Sequence, residues 1–334
     1  MPAPSYQNFN HLKIHTQCSI CESAVKIDNL QDFSKSKKIK SLGLCDTSNL
    51  CGALEFAEKI SKVGTQPIIG TQINFKHGDC TGLLPLFALN EEGYKRIIKL
   101  SSISYLENDE LSEPHIDFKE LLEDNSGVAV FSGTIFGLFG ELFNKGKFSE
   151  IFELYKKLKS NFDDRFYLEI QRHGDQNELG FEKFNLTKSL ELETPLIATN
   201  EVFYLDKDMH EAHDALICIG NKTYVNEKSR IKLSNQHYLK DNSEMTELFA
   251  DLPEALENNY NFPLRCNFRP SFSNPILPNI SSEKGGIADD VLKKDSFHGL
   301  RIKFDKVFGI KGNDLESNKI FLDYKDRLEH ELSI

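Results

Sequence analysis

Short apolar runs alternate along most of the chain with segments in which apolar residues recur at helical spacing. The spacing of Leu50, Ala53, Ala57 and Ile60, for example, predicts one face of a helix. Because such strand and helix signals follow one another in turn, the pattern predicts an α/β domain. Strands are predicted at 12–15, 41–46, 67–70, 73–75, 83–89, 128–131, 166–170 and 196–199, with the pair at 67–75 interrupted by Gly70.

Polar side chains occur at or just past the ends of these predicted strands. They are Lys13, His15, Asp46, Gln72, Ser132, His173 and Glu201. In a closed parallel α/β barrel the carboxyl ends of the strands converge on one face, and active sites are built there. The sequence therefore predicts a barrel-like domain with a polar site at one end.

The first predicted strand carries two histidines separated by a lysine. By alternation, Leu12 and Ile14 face one side, while His11, Lys13 and His15 face the other. Two imidazoles on one strand face are a common start of a metal site, but an ammonium group between them repels a cation. The stretch predicts either a metal site or one that has lost its metal.

A segment rich in helix and strand breakers marks a domain boundary. It runs from Phe262 through Pro270, Pro275 and Pro278 to Gly285–Gly286, and helical patterns follow at 289–304 and 323–332. We therefore predict a first domain at 8–262, a linker at 263–288, and the start of a second, mainly helical domain at 289–334.

Composition and charge exclude several classes. The 334 residues carry a net charge of -11, which disfavours nucleic-acid binding by this stretch alone. The longest nearly apolar run, 128–143, is too short and interrupted to span a bilayer, and no secretory signal is evident, so we expect a cytoplasmic protein without membrane contact.

The chain has seven cysteines, an odd number, which indicates reduced thiols rather than disulfides. Cys18 and Cys21 have CxxC spacing, which suits either buried thiols or a redox or zinc pair.

Ordered motifs along nearly the whole chain resemble the N-terminal part of the bacterial replicative DNA polymerase III alpha subunits, beginning with their PHP (polymerase and histidinol phosphatase) domain. The matching stretches are 11–16, 46–52, 67–70, 90–94, 167–170, 198–202 and 247–256, and 324–332 resembles the entry into the polymerase palm region. The resemblance implies a PHP-type distorted (β/α)7 barrel, followed by the truncated start of the palm.

Active PHP domains bind a metal cluster for phosphoester hydrolysis, and the resemblance places nine positions of this chain at that site. His15 is the same residue as the family's metal ligand at that position. Glu22 and Glu201 stand where the family has aspartate ligands, so each keeps a carboxylate. The other six are lost ligands: Lys13, Thr47, Gln72, Leu83, Thr134 and Phe203. Because such a cluster needs several donors per ion, we expect no metal here and no phosphoesterase activity. We also expect Lys13 to supply the missing positive charge by pairing with Glu22 and Glu201.

By resemblance, the parent protein is a DNA-directed DNA polymerase that uses Mg²⁺, with catalytic carboxylates downstream of this chain. This stretch is expected to need no cofactor and to contact DNA mainly through the missing domains. Its partners are expected to be the proofreading exonuclease subunit, for which it is a docking site, and other replicase subunits.

The alternative is a residual metal-dependent phosphoesterase or 3′–5′ exonuclease that uses His15, Glu22, His173 and Glu201. A second histidine pair, His210 and His213, is three residues apart and offers a metal patch, or solvated histidines behind a helix capped by Asp206.

Overall fold

The structure is a computed structural model that describes residues 9–108, 112–275 and 287–334. The chain forms two compact units, the first ending at Phe272 and the second beginning at Ser273. The part of the predicted linker at 276–286 lies outside the described residues.

The first unit alternates strands and helices, as predicted. Its strands are β1 (Lys13–Ile14), β2 (Ser41–Thr47), β3 (Gln66–His77), β4 (Cys80–Ala88), β5 (Ile116–Asp117), β6 (Val128–Phe131), β7 (Phe166–Ile170), β8 (Leu196–Ala198) and β9 (Glu201–Val202). Its helices are α1 (Ile27–Lys37), α2 (Ala53–Lys62), α3 (Glu91–Leu106), α4 (Phe118–Leu122), α5 (Leu138–Asn144), α6 (Phe148–Phe162), α7 (Glu178–Leu192), α8 (His210–Gly220), α9 (Asn242–Leu248) and α10 (Pro253–Asn261). Short 3₁₀ turns occur at Asp163–Arg165, Lys207–Met209 and Phe262–Arg265.

The strands follow one another around a ring of seven positions, in which β8 and the following β9 share one position. This arrangement confirms the predicted distorted α/β barrel. Strands β2, β3, β4, β6, β7 and β8 pair in that order, and β9, which follows β8 directly, pairs with β1. The backbone N–H of Gly43 in β2 donates to the carbonyl of His11, just before β1, at 2.7 Å. This hydrogen bond connects β1 to β2 and completes the ring.

Two expectations about the strands are wrong. Residues 67–75 are not a strand pair interrupted at Gly70, because β3 continues without a break from Gln66 to His77. The sheet is also not all parallel, because β4 runs antiparallel to both β3 and β6. The first residues of β4, including Leu83, therefore pair with the last residues of β3.

The strands separate an inner apolar cluster from apolar layers beneath the helices. In β6, Ala129 and Phe131 belong to the inner cluster, while Val128 and Val130 pack into the helix-facing core. This alternation is the period of two expected of a strand with both faces buried. Alternation does not hold around β1. Leu12 and Ile14 were expected to share one face, but Leu12 lies in the inner cluster and Ile14 lies in a different apolar cluster beneath the helices.

The first unit extends beyond the predicted boundary at residue 262. The ring of Phe262 packs against Phe87, Phe131 and Tyr167, with centroids 5.1–5.6 Å apart. The side chain of Gln66, the first residue of β3, donates to the carbonyls of Pro263 and Cys266 at 2.9 and 2.7 Å. The chain after α10 therefore covers the inner cluster at the amino ends of the strands, and 263–272 are part of the first unit.

The second unit is helical, as predicted. It contains α11 (Ala288–Phe308), α12 (Asn313–Ser317) and α13 (Lys319–Glu331). Its core consists of Phe304, Leu315 and Phe321. Its assignment to a polymerase palm stays a prediction. In the part of the chain that is described, no helix is both long and apolar enough to cross a membrane.

Candidate functional site

Three buried charged side chains meet inside the carboxyl-terminal end of the barrel. Lys13 Nζ lies 3.1 Å from Glu201 Oε1 and 3.4 Å from Glu169 Oε1. The parallel pairing of β1 with β9 sets Lys13 directly opposite Glu201, and β7 brings Glu169 from the other side. All three side chains are at least nine-tenths buried, so a single ammonium lies between two carboxylates that are largely shielded from water.

The pKa values in this cluster follow from burial opposed by charge pairing. Burial alone lowers the pKa of Lys13, but Glu169 and Glu201 outweigh that effect and raise it above its usual value. Burial alone raises the pKa of Glu201, but Lys13 and His15 hold it well below its usual range. Both residues are therefore charged at neutral pH.

These shifts predict how stability depends on pH. The pKa of Glu201 in the folded chain is lower than its ordinary value of 4.5. Its contribution to the free energy of unfolding is therefore complete above pH 4.5 and is lost as the pH falls below that value. Lys13 has a raised pKa, so its contribution to the free energy of unfolding is complete below its ordinary value of 10.5 and is lost as the pH rises beyond it.

Urea unfolding at a series of acid pH values should show the loss of stability that comes from Glu201. In Glu201→Gln this dependence on pH should be flatter. An unchanged acid limb in that variant would contradict the assignment.

His15 connects this cluster to the surface loop that follows β1. Its Nε2 lies 3.2 Å from Glu201 Oε1, and its Nδ1 lies 3.4 Å from the hydroxyl of Ser19 and 3.5 Å from that of Thr47. Those hydroxyls donate their protons to Asp46 and Glu22, so their oxygens face Nδ1 as acceptors. The ring of His15 therefore has polar contacts on both of its nitrogens. Phe203 stacks on the ring at 4.5 Å.

Asp46 fastens the loop after β1 and has no free carboxylate oxygen. Its Oδ1 accepts from the backbone N–H of Thr16 at 2.6 Å and from Ser19 Oγ at 2.7 Å, and its Oδ2 accepts from Thr16 Oγ1 at 2.8 Å. The residue is fully buried. These bonds explain why an acid ends the apolar run of β2: it replaces backbone partners that the loop lacks.

The remaining predicted site residues surround a cavity of about 180 Å³ above the cluster. Thr47 Oγ1 donates to Glu22 Oε2 at 2.6 Å and accepts from Gln72 Nε2 at 3.3 Å. The other three predicted positions, Lys13, His15 and Thr47, lie beneath the cavity and contact residues that line it. Six of the nine predicted positions line the cavity itself: Glu22, Gln72, Leu83, Thr134, Glu201 and Phe203.

The expected partners of Lys13 need one correction. Glu201 pairs with Lys13 as expected, but the second carboxylate is Glu169 rather than Glu22, which bonds to Thr47 instead. Sequence reasoning missed Glu169. The available signal was an acid in the middle of the otherwise apolar run Phe166–Ile170, since a buried carboxylate needs a partner.

The side chains present do not fit the metal cluster of active PHP domains. The ammonium of Lys13 is already beside the Glu169 and Glu201 oxygens that a cation would need. Leu83 and Phe203 offer no donor atom to the cavity. The ammonium of Lys13 therefore occupies the place beside both carboxylates that a divalent ion would need.

A second cluster, His173, Asp175 and His237, lies beside Glu201. His237 Nε2 is 3.0 Å from Asp175 Oδ2, and burial together with His237 and Lys240 holds the pKa of His173 well below its usual value. The two imidazoles stack with centroids 4.0 Å apart and planes 7° apart. Because lone pairs lie in the ring planes, nearly parallel stacked rings cannot converge on one ion.

This cluster instead holds the backbone of Glu201 in place. His237 Nδ1 contacts the carbonyl of Glu201 at 3.1 Å, and the backbone N–H of Glu201 donates to His173 Nε2 at 3.3 Å. The ring of His173, a candidate ligand by sequence, thus positions a site residue from behind.

The remaining residues that the sequence offered as possible metal or redox groups show no sign of such a role in the structure. His213 Nε2 contacts the carbonyl of Glu22 at 2.7 Å, and His210 Nε2 contacts that of Leu233 at 3.2 Å. His213 is buried, so the expectation of solvated histidines is wrong there, and Asp206 makes no side-chain cap. Cys18 and Cys21 are free, half-buried thiols.

Comparison with known proteins agrees with this architecture. Residues 11–173 match the PHP domain family. The chain is 36% identical over 332 residues to the DNA polymerase III subunit alpha of Rickettsia conorii, which covers 98% of this chain and 28% of that protein. The corresponding subunit of Caulobacter vibrioides is 34% identical over 307 residues, covering 90% of this chain and 27% of the relative. That of Vibrio cholerae is 32% identical over 332 residues, covering 98% and 28%.

The chain therefore spans little more than a quarter of the length of these relatives. Residues 11–173 are thus similar to the PHP domain family, and the chain is similar over nearly its whole length to the alpha subunits of bacterial DNA polymerase III.

Proposed function

We propose that this chain is the N-terminal region of a DNA polymerase III alpha subunit. Its PHP domain has lost hydrolytic activity and serves as a structural module and as the docking site for the proofreading exonuclease subunit. The observation that carries this proposal is the position of Lys13 Nζ between Glu169 and Glu201, at the site where the family resemblance implies metal ligands.

The electrostatic balance of the cluster supports the loss of hydrolysis. Metal-assisted hydrolysis requires an ion with an open coordination position that polarises phosphate and activates water. In this domain an ammonium supplies the central positive charge, and it offers neither function.

The polymerase activity belongs to the proposed parent protein. Nucleotidyl transfer with Mg²⁺ would use carboxylates that this chain does not contain, and contact with DNA would come mainly from other domains. The net charge of -11 is consistent with this division of labour, because it disfavours binding of a phosphate backbone to this region. Cytoplasmic location, contacts with other replicase subunits and the palm assignment of 289–334 belong to the same proposal.

The loss of hydrolysis predicts that the purified chain has no metal-dependent phosphatase or nuclease activity. Cleavage of p-nitrophenyl phosphate and of a single-stranded oligonucleotide would be measured with added manganese, zinc or magnesium, with metal content determined by mass spectrometry. We expect background rates and less than stoichiometric metal. Metal-dependent cleavage that His15→Ala abolishes would instead establish the residual phosphoesterase or exonuclease.

The docking role predicts a stable complex with the proofreading exonuclease subunit of the same organism. Co-purification and calorimetry with the full chain should give a one-to-one complex. The complex should persist in Lys62→Met, which changes only an exposed side chain on α2. No binding at micromolar concentrations would contradict the docking role.

A further inference from the structure

The cavity above the charge cluster combines apolar walls with two carboxylates. Its floor and walls include Leu83, Phe203 and Leu233, and it opens toward solvent between Phe136 and Ile231. Large apolar side chains at the mouth of a cavity mark a binding site more often than scattered exposed ones do.

The two carboxylates differ in how they are neutralised. Glu201 is paired with Lys13 and His15. Glu22 accepts a hydrogen bond from Thr47 but has no ion pair with any residue in the described ranges. It is only half-buried, so its carboxyl group lies at the cavity edge without the cost of complete burial.

Two of the apolar side chains that line the cavity remain exposed to solvent. Phe136 is 52% exposed and Ile231 is 61% exposed. Small-molecule sites bury most of the ligand inside a cleft, whereas apolar side chains around a pocket suit a protein partner that inserts one anchor residue.

We propose that this cavity is the anchor pocket of the docking surface, and that it receives a large apolar side chain next to a lysine or arginine of the partner. The apolar side chain fills the cavity between Leu83, Phe203 and Leu233, and the neighbouring cation pairs with Glu22. This inference rests on the docking role proposed above and names the partner chemistry that the surface selects.

The first test uses benzylamine as a probe, because it joins an aromatic ring to an ammonium. Benzyl alcohol and benzoate serve as uncharged and anionic controls, and binding to the full chain is followed by NMR line shifts. We expect benzylamine to bind about tenfold more tightly than benzyl alcohol, with no binding of benzoate. In Glu22→Gln that preference should disappear while benzyl alcohol still binds. Equal binding of all three probes, or of none, would overturn the proposal.

The second test measures affinity for the exonuclease subunit. Glu22→Gln and Ile231→Asp should each weaken binding about tenfold, and the Glu22 variant should lose most of the salt dependence. Glu254→Gln, an exposed acid on α10, is the matched control and should bind normally. Thermal unfolding of each variant verifies that the fold is retained.

The outcomes separate this inference from the docking role. If the wild-type chain binds the subunit and both variants bind equally well, the docking role stands and the anchor pocket is wrong. If benzylamine binds selectively but the variants leave subunit binding unchanged, the pocket accepts free amines and the inference about the partner is overturned. If the wild-type chain does not bind the subunit, the docking role itself fails.

Discussion

Replacing Lys13 with methionine is expected to lower the free energy of unfolding by about 3–5 kcal/mol. Methionine fills similar space, so the loss comes from charge rather than from a cavity. Glu169 and Glu201 would be left largely buried and without their shared cation. The penalty is increased because Glu169 Oε2 is buried and, among the residues the structure describes, has no hydrogen-bond partner.

Urea unfolding of wild type and Lys13→Met measures this loss. Adding Glu169→Gln and Glu201→Gln to the variant removes all three charges and should recover more than half of the lost stability, since an uncharged cluster carries no Coulombic repulsion. Lys62→Met is the matched control: Lys62 pairs with Glu58 on the surface of α2, where the change should cost less than about 1 kcal/mol. A loss this small in Lys13→Met would rule out the ammonium as the replacement for the metal.

Replacing Gly43 with alanine is expected to cost about 3 kcal/mol or more. A Cβ at this position would lie 2.3 Å from the carbonyl oxygen of Leu12 and 2.5 Å from its Cα. These are backbone atoms, so no side-chain rotation relieves the contact. The same close approach allows the hydrogen bond between Gly43 and His11 that connects β1 to β2. The substitution therefore forces apart the two strands that complete the barrel and displaces Lys13.

Gly180→Ala is the matched control for this effect. Gly180 lies in α7, and an added Cβ would meet only the ring of Phe143, at 3.4 Å, an ordinary van der Waals distance. Alanine is a better helix former than glycine by about 1 kcal/mol, so this variant should be as stable as wild type or more so. Equal stability of the two variants in thermal unfolding would show that β1 and β2 separate without cost.

Local sequence patterns were sufficient for two of the short strands that are buried on both faces. The apolar runs 128–131 and 166–170 coincide with β6 and β7 as observed. Gly70 misled the prediction because glycine was read as a break. In the folded chain it lies in the middle of β3, where a Cβ would come within 2.5 Å of the ring of Phe87. The glycine is needed for close packing across the β3–β4 pair, and that contact is not encoded locally.

The sequence by itself determined the α/β class, the side-chain chemistry at the nine predicted site positions and the presence of a cation at Lys13, because side-chain chemistry does not depend on the fold. Only the tertiary structure decided which groups surround that cation. The pairing of β1 with β9 brings Glu201 opposite Lys13, and β7 supplies Glu169 from 156 residues further along the chain. A buried charge is neutralised by whatever lies within a few ångströms of it, and these distances depend on strand pairing rather than on proximity in sequence.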